Sequence, residues 1–121
     1  EISYIHSEAY AGGELKHGTI ALIEQDTVVV ALATQDRLFE KMLSNIQEVK
    51  ARGAYVIGLA KEGNADIEKQ ADKTIYIPQC IDEITPLLSV VPLQMLAYYI
   101  AKLRGCDIDK PKNLAKSVTV E

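Results

Sequence analysis

The densest group of polar side chains in the sequence is GELKHG, residues 13–18, where Glu14, Lys16 and His17 stand between two glycines. A carboxylate, an amine and an imidazole so close together could transfer protons in an active site. They could equally form the solvated end of a helix, where Lys16 and His17 would interact favourably with the helix dipole. Taken alone, the residue pattern favours the helix end and leaves catalysis as the alternative.

A second candidate is Lys116, which lies between Ala115 and Ser117 in the C-terminal segment NLAKSVTVE. The alternation in SVTVE is typical of an edge strand, and a lysine there keeps such a strand soluble. Alternatively, an amine flanked by small side chains could enter a pocket and attack a carbonyl group. The residues alone favour the edge strand, and by the same criterion Glu1 and Glu8 are ordinary carboxylates on a helix face.

Motifs of several common enzyme classes are absent from the sequence. It contains no GxGxxG, Walker loop, HExxH or GxSxG, so phosphate-loop, metalloprotease and nucleophile-elbow enzymes have no support. Cys80 and Cys106 are the only cysteines, and they form neither a CxxC pair nor a Cys/His pair at metal-binding spacing. We therefore predict no metal ion, no other cofactor and no disulfide framework.

Length, composition and charge limit the class of protein further. A chain of 121 residues that is 48% hydrophobic is long enough for one core and too short to expect two. The net charge of -4 argues against a nucleic-acid surface, which needs clustered basic residues. No apolar run approaches the roughly 18 residues that span a bilayer, and no signal peptide is recognisable. We predict a cytoplasmic protein with no membrane and no nucleic-acid partner.

Buried-strand patterns, which predict strands buried on both faces, alternate with helical patterns through the middle of the chain. This alternation predicts an α/β fold with a parallel sheet, right-handed crossovers and flanking helices. Asp36 is expected to cap the first of these helices. The predicted strands are 27–33, 54–60 and 74–78, and the predicted helices lie between 36 and 53, around 65–71 and over 82–104.

The final helix, 82–104, is predicted to begin at Asp82 or Thr85, to bend at Pro92 and to end at Gly105. Eight apolar residues recur along it at steps of three and four, and we predict that they form its core face. These residues are Ile84, Leu87, Leu88, Val91, Met95, Leu96, Tyr99 and Leu103.

Apolar residues also recur at helical spacing in residues 2–11, ahead of Gly12 and Gly13, so a further helix is predicted there. The chain thus starts at Glu1, without a methionine, inside a predicted helix. Three strands are also few for a sheet of this kind. We therefore expect a domain truncated on its N-terminal side, with further strands upstream of Glu1.

Two segments, EISYIHSEAYAGGELKHG at the start and GCDIDKPKNLAKSVTVE at the end, carry a resemblance. They are similar to the C-terminal part of the glucosamine-6-phosphate synthase family, the isomerising glutamine–fructose-6-phosphate aminotransferases. The resemblance covers the whole chain and implies a three-layer sugar isomerase (SIS) domain, a parallel β-sheet flanked by helices that binds phosphosugars. It also implies a homodimer, with a first SIS domain and a glutaminase domain upstream in the same chain.

On this resemblance, residues 1–121 form a partial second SIS domain. Residues 1–18 would hold a helix and the GELKHG motif, 27–104 the alternating core, and 105–121 a C-terminal tail that belongs to the active site. The implied reaction converts fructose 6-phosphate and glutamine to glucosamine 6-phosphate and glutamate. The phosphate-binding residues of the family would lie outside this chain, so the chain alone is predicted to be inactive.

The resemblance implies a role for each matching residue. Glu1 corresponds to the carboxylate that moves a proton between C1 and C2 of the sugar. His17 corresponds to the histidine that assists opening of the sugar ring and reaches the active site of the neighbouring subunit. Lys116 corresponds to the lysine that forms a Schiff base with the C2 carbonyl, and Ala115 would contact the sugar through its backbone.

Three residues depart from the pattern of the family. Thr19 stands where proline is common, Gly12 stands where alanine is usual, and Lys112 replaces a common arginine before NLAKSVTVE. The first two affect the geometry of a helix end. Lys112 lacks the planar fork of arginine, so we expect any contact that holds the tail to be weaker.

Two rival functions are compatible with parts of the sequence. A non-catalytic SIS module would bind a phosphosugar to regulate a partner, and it would not need a carbonyl-reactive lysine. A flavodoxin-like interaction domain without a ligand would explain the alternating strands and helices. It would not explain GELKHG and NLAKSVTVE together.

Overall fold

A computed structural model describes residues 1–112 of the chain. Ala115 and Lys116 therefore lie outside the described residues. The chain divides into two compact units. The sheet unit is Ala9–Ser89, and the terminal unit combines Glu1–Glu8 with Val90–Glu121.

The sheet unit contains the three predicted strands. They are β1 (Val28–Ala33), β2 (Tyr55–Lys61) and β3 (Lys73–Ile77), arranged in the order β1-β2-β3. Both neighbouring pairs are parallel, as the alternation of strands and helices predicted. Because β2 pairs on both sides, it is the best-buried strand.

Helix α1 (Phe39–Lys50) covers one face of the sheet. The side chains that it buries follow the predicted helical spacing, and they meet small residues of the strands, which let the helix approach closely. The helix contributes Phe39, Leu43, Ile46 and Val49 to the core, and the strands contribute Ala31, Ala33, Val56 and Ala60.

The prediction that the strands are buried on both faces is wrong for β1. Ala31 and Ala33 face α1 and are buried, whereas Val28 and Leu32 are 63% and 41% exposed. Successive side chains of a strand point to opposite faces, so a cover on one face leaves the alternate residues open. The apolar run indicated a buried strand but not how many layers cover it.

Two local predictions near the chain start and α1 are also wrong. Residues 4–11 form no regular secondary structure, and the first helical element is a 3₁₀ helix, Gly12–His17. A ten-residue helix is marginal without a packed partner. Asp36 opens a 3₁₀ turn, Asp36–Leu38, and makes no side-chain capping bond, because its carboxylate binds Lys61 instead.

Helix α2 (Thr85–Leu103) follows a 3₁₀ turn, Asp82–Ile84, and includes Pro92. Its predicted end is confirmed: Gly105 has φ 69°, and the N–H of Cys106 donates to the carbonyl of Ala101 at 2.9 Å. A second bond from the Gly105 N–H to the preceding turn completes a Schellman cap. Glycine suits this position because a left-handed backbone costs it little.

The predicted core face of α2 is wrong. Leu87 is 70% exposed, Leu103 is 87% exposed, and Val91, Met95 and Tyr99 are each about half exposed. The helix is apolar around its circumference, so a three- to four-residue period cannot select one face.

Among the described residues, Asp82–Leu103 also has the length and composition of a membrane-crossing helix, which corrects the prediction that no such run exists. This is weak evidence for a membrane, since core helices of soluble proteins share these properties.

Candidate functional site

The GELKHG motif forms the 3₁₀ helix Gly12–His17, named here the motif helix. Leu15 packs against the hydrophobic core, and the Lys16 ammonium lies 2.6 Å from the Glu48 carboxylate of α1. Gly18, with φ 146°, ends the helix in a backbone conformation that favours glycine. An apolar contact and an ion pair therefore fix this motif on α1.

Gly12 allows the motif helix to approach α1 closely. A Cβ atom at this position would lie 2.7 Å from the Asn45 side-chain nitrogen and 3.3 Å from the Met42 sulfur. An alanine here would require the Asn45 side chain to move. The lack of a side chain at Gly12 thus permits the close contact between these two elements.

His17 is the last residue of the motif helix, and its side chain is exposed. Within residues 1–112, its ring makes no hydrogen bond or ion pair. Lys16, by contrast, is held by Glu48. The two basic residues of the motif therefore differ: Lys16 pairs with α1, and the His17 imidazole is open to solvent.

Glu1 belongs to the terminal unit and is exposed. It opens a turn in which the N–H of Tyr4 donates to the Glu1 carbonyl at 3.2 Å. The interpretation of Glu1 as a helix-face carboxylate is therefore wrong. The residue sits on a turn, and its carboxylate is open to solvent.

The two predicted site residues that the structure describes belong to different units. Glu1 is part of the terminal unit and His17 is part of the sheet unit. Ala115 and Lys116 lie outside the described residues. Their roles in one site stay predictions.

A charged cluster that sequence reasoning missed lies at the carboxyl edge of the sheet. Lys61 is the last residue of β2 and is fully buried. Its ammonium donates to Asp82 Oδ1 at 2.7 Å and to Asp36 Oδ2 at 2.9 Å. The backbone N–H of Asp36 also donates to Asp82 Oδ1, at 3.0 Å. These bonds join the segments that follow all three strands.

The cluster shifts the acidities of its members. The hydrogen bond to Asp82 raises the pKa of Lys61 above its ordinary value of 10.5, Asp36 adds to the effect, and burial opposes it. In turn, the hydrogen bond from Lys61 lowers the pKa of Asp82 below 3.8, with the Asp36 N–H adding to the effect. A charged lysine paired with charged carboxylates is thus the favoured state.

One signal in the sequence could have indicated this cluster. Lys61 ends an apolar strand run, and a lysine at a buried position needs an anionic partner. Asp36 and Asp82 each follow another strand, and the carboxyl ends of parallel strands share one edge of a sheet. Ligands of open α/β sheets bind at this edge. Here the lysine's charge is already satisfied by two carboxylates, so we assign the cluster a bracing role.

A second polar cluster lies at the opposite, amino edge of the sheet. The Asp72 carboxylate accepts bonds from the Lys50 ammonium at 2.5 Å and from the Val56 N–H at 2.7 Å. The bond from Lys50 lowers the pKa of Asp72, and the bond from Val56 adds to this effect. An open cavity of about 260 Å³ adjoins these groups. Its position away from the carboxyl edge argues against a substrate site.

Within residues 1–112, no group of three or more His, Cys, Asp or Glu residues is placed to hold a metal ion. The predicted lack of a metal or cofactor stays a prediction.

Comparison with known proteins gives a family and several close relatives. The family described as SIS domain matches residues 1–104. The isomerizing glutamine–fructose-6-phosphate aminotransferase of Caldanaerobacter subterraneus subsp. tengcongensis is 69% identical over 121 residues, and that of Clostridium acetobutylicum is 64% identical. Each alignment covers 100% of this chain and 20% of the relative. The chain therefore spans one fifth of the length of these relatives.

A solved structure resembles the described fold. It is the C-terminal domain of glucosamine-fructose-6-phosphate aminotransferase from Francisella tularensis, with a TM-score of 0.83 and 40% sequence identity. The match covers 92% of this chain and 32% of that chain. It confirms the predicted α/β class, a parallel sheet flanked by helices. Because the SIS match extends over most of the sequence, the chain belongs to the SIS domain family.

Proposed function

We propose that the chain is part of the isomerase half of an enzyme that makes glucosamine 6-phosphate and glutamate from fructose 6-phosphate and glutamine. The observation that carries this proposal is identity of 69% and 64%, along the whole chain, to proteins named as isomerizing glutamine–fructose-6-phosphate aminotransferases. Since the chain spans 20% of those relatives, the remaining functions belong to residues outside it. These include the glutaminase and the phosphate-binding groups.

In this proposal Lys116 is the nucleophile. Its neutral amine adds to the C2 carbonyl of the open-chain sugar, and loss of water leaves a protonated Schiff base. Ammonia then adds to C2, the lysine amine departs, and the sugar carries an imine at C2. Ala115 contacts the sugar through its backbone.

Glu1 then acts as the base of the isomerisation. Its carboxylate takes a proton from C1 of the protonated imine to give a planar enolamine and returns that proton to C2. The O1 hydroxyl then loses its own proton, so that C1 becomes the carbonyl and C2 carries the amine of glucosamine 6-phosphate. One carboxylate can serve both carbons because both lie on one face of the planar intermediate. The exposure of Glu1 on its turn supports this role, since the carboxylate is open to a bound sugar.

His17 assists ring opening by moving a proton between the ring oxygen and the anomeric hydroxyl. Its exposed imidazole on a fixed motif helix supports the assignment. We further propose that it serves the active site of the partner subunit, which makes a homodimer the functional state. The enzyme is expected in the cytoplasm, where its phosphorylated substrate is found.

The test is borohydride reduction of the full-length protein in the presence of fructose 6-phosphate, followed by peptide mass mapping. The proposal expects a reduced sugar adduct on Lys116 and formation of glucosamine 6-phosphate when glutamine is added. Lys116→Arg should abolish both, whereas Lys69→Arg, a change to an exposed lysine paired with Asp66, should affect neither. A wild-type protein that forms product without an adduct would contradict the Schiff-base step.

A second candidate is a non-catalytic SIS module that binds a phosphosugar to regulate a partner. The observation that favours it is the extent of the SIS match, which ends at residue 104 and omits the tail that carries Lys116. This module would bind fructose 6-phosphate without forming an adduct or a product. The 121-residue chain by itself should show no isomerisation under either proposal, because phosphate-binding residues are supplied from outside it.

A further inference from the structure

We propose that Tyr4 is a positioning residue that couples the turn bearing Glu1 to the start of the C-terminal tail. The inference rests on the function proposed above, in which Glu1 and Lys116 act on the same sugar. It assigns to Tyr4 no contact with the substrate. Its effect is exerted through Lys112, the last described residue of the tail.

Two separate contacts join Tyr4 to Lys112 within the terminal unit. The backbone N–H of Lys112 donates to the Tyr4 hydroxyl oxygen at 2.5 Å, and the Lys112 ammonium lies 5.2 Å from the centre of the Tyr4 ring. The first is a hydrogen bond and the second is a cation–π contact. One side chain thus holds both the main chain and the charged side chain of a residue 108 positions away.

The backbone of Tyr4 is itself in an unusual conformation. Its φ of 52° lies in the left-handed region, which residues with a Cβ atom rarely adopt. Tyr4 is half-buried, and its N–H closes the turn on the Glu1 carbonyl. Strained residues persist where surrounding contacts define them, and such positions are frequent near functional sites. The bonds to Glu1 and Lys112 are the contacts that define this one.

Holding Lys112 limits the position of Lys116, because the two residues are close in the chain. Glu1 precedes Tyr4 by three residues, and Lys116 follows Lys112 by four residues. Four residues span at most about 14 Å, so fixing Lys112 restricts where the Lys116 amine can lie relative to Glu1. A proton-transferring carboxylate and a carbonyl-reactive amine must be held at the right positions relative to each other for catalysis. Tyr4 is the side chain that provides this link between their segments.

The decisive experiment measures the rate of borohydride trapping of Lys116 by fructose 6-phosphate in the full-length protein and its variants. Tyr4→Phe removes the hydroxyl and keeps the ring, and Lys112→Ala removes the ammonium and keeps the N–H. Tyr4→Leu removes both contacts. Tyr76→Phe is the matched control, because it deletes a phenol that donates to Glu68 in the sheet unit.

Tyr4→Phe should slow trapping about fivefold at saturating sugar, which corresponds to one lost hydrogen bond. Lys112→Ala should slow it about threefold, and Tyr4→Leu about 15-fold. In the Tyr4→Leu protein, adding Lys112→Ala should have no further effect. The half-saturating sugar concentration and the final amount of adduct should stay unchanged, whereas a variant that only unfolds would lose adduct amount.

The outcomes separate this inference from the function beneath it. A wild-type protein without an adduct on Lys116 overturns the proposed chemistry and this inference with it. If the wild type forms the adduct on Lys116 and the Tyr4 variants form it at the same rate, this inference alone is overturned. If Tyr4→Leu does not yield folded protein, Tyr4→Phe and Lys112→Ala decide the question. Trapping of Lys116 at the wild-type rate in both of these variants would count against coupling.

Discussion

The Lys61 ammonium lies 2.7 Å from the Asp82 carboxylate, although Lys61 ends the central strand and Asp82 follows the strand beside it. Asp36, which follows the other neighbouring strand, supplies a second carboxylate at 2.9 Å. One buried cation therefore connects the three segments that leave the carboxyl edge of the sheet. Since Asp36 is 62% exposed and Asp82 only 23%, water screens the Asp82 bond less.

Replacing Lys61 by methionine should loosen this edge. The change keeps most of the unbranched side chain and leaves the carboxylates of Asp36 and Asp82 without their cation. Amide hydrogen exchange in the full-length protein should accelerate about tenfold or more in the segments around 34–38 and 81–85. Lys69→Met is the control, because its ion pair with Asp66 is exposed, and it should leave both segments unchanged. Equal exchange in both variants would show that the cluster does not brace the edge.

The lowered pKa of Asp82 predicts how this edge responds to acid. Its carboxyl has a folded-state pKa below the ordinary 3.8, so its contribution to stability is complete above pH 3.8 and is lost as pH falls through the folded-state value. Lys61 has the opposite sign: its raised pKa contributes stability below pH 10.5 that is lost as pH rises further.

The loss of stability in acid can be measured by amide hydrogen exchange of the segment around 81–85 between pH 6 and 3, corrected for the intrinsic exchange rate. The wild type should lose protection below about pH 4. Asp82→Asn should be less protected at neutral pH and should lose less on acidification. Glu83→Gln changes an exposed neighbouring carboxylate and should follow the wild type. A wild-type profile in Asp82→Asn would contradict the role of this carboxyl.

The strands were predictable because long apolar runs and their alternation with helices depend only on local sequence. Residues 27–33 and 54–60 match β1 and β2 within one residue at either end. The packing of α2 was not predictable, because a helix that is apolar on all sides carries no directional signal. The helix predicted for residues 2–11 failed for a related reason, since a short helix depends on partners that its own sequence does not show.

For the candidate site, the sequence indicated which residues could be functional but not which contacts they make. The residues of GELKHG alone favoured a solvated helix end, and the structure shows a 3₁₀ helix in which Lys16 binds Glu48 and His17 is exposed. The contact between Tyr4 and Lys112 joins residues 108 positions apart, and no local pattern marks such a pair. Long-range contacts of this kind require the tertiary structure.

Thr19 provides a test of a departure from the family. Its hydroxyl oxygen is buried and has no hydrogen-bond partner within the described residues. Proline, which the resemblance implies is common here, carries no hydroxyl to satisfy. Thr19→Val should therefore stabilise the segment around 12–22 by about 1 kcal/mol, because it removes an unpaired polar group and keeps the shape. Exchange of the local amides should slow about fivefold. Thr19→Ser keeps the hydroxyl and should give no such protection, and faster exchange in Thr19→Val would show that the hydroxyl is satisfied.

The proposed placement of His17 in the active site of a partner subunit can be tested by mixing two inactive subunits of the full-length protein. His17→Asn should lower kcat about 100-fold, as expected for loss of an acid–base group, and Lys116→Arg should remove activity. When the two are unfolded and reassembled together, each mixed dimer has one site with both intact residues and one with both defects. At equal amounts, half of the dimers are mixed, so about a quarter of wild-type activity should return. If His17 serves its own subunit, every site keeps one defect, and the mixture should stay as inactive as its parts.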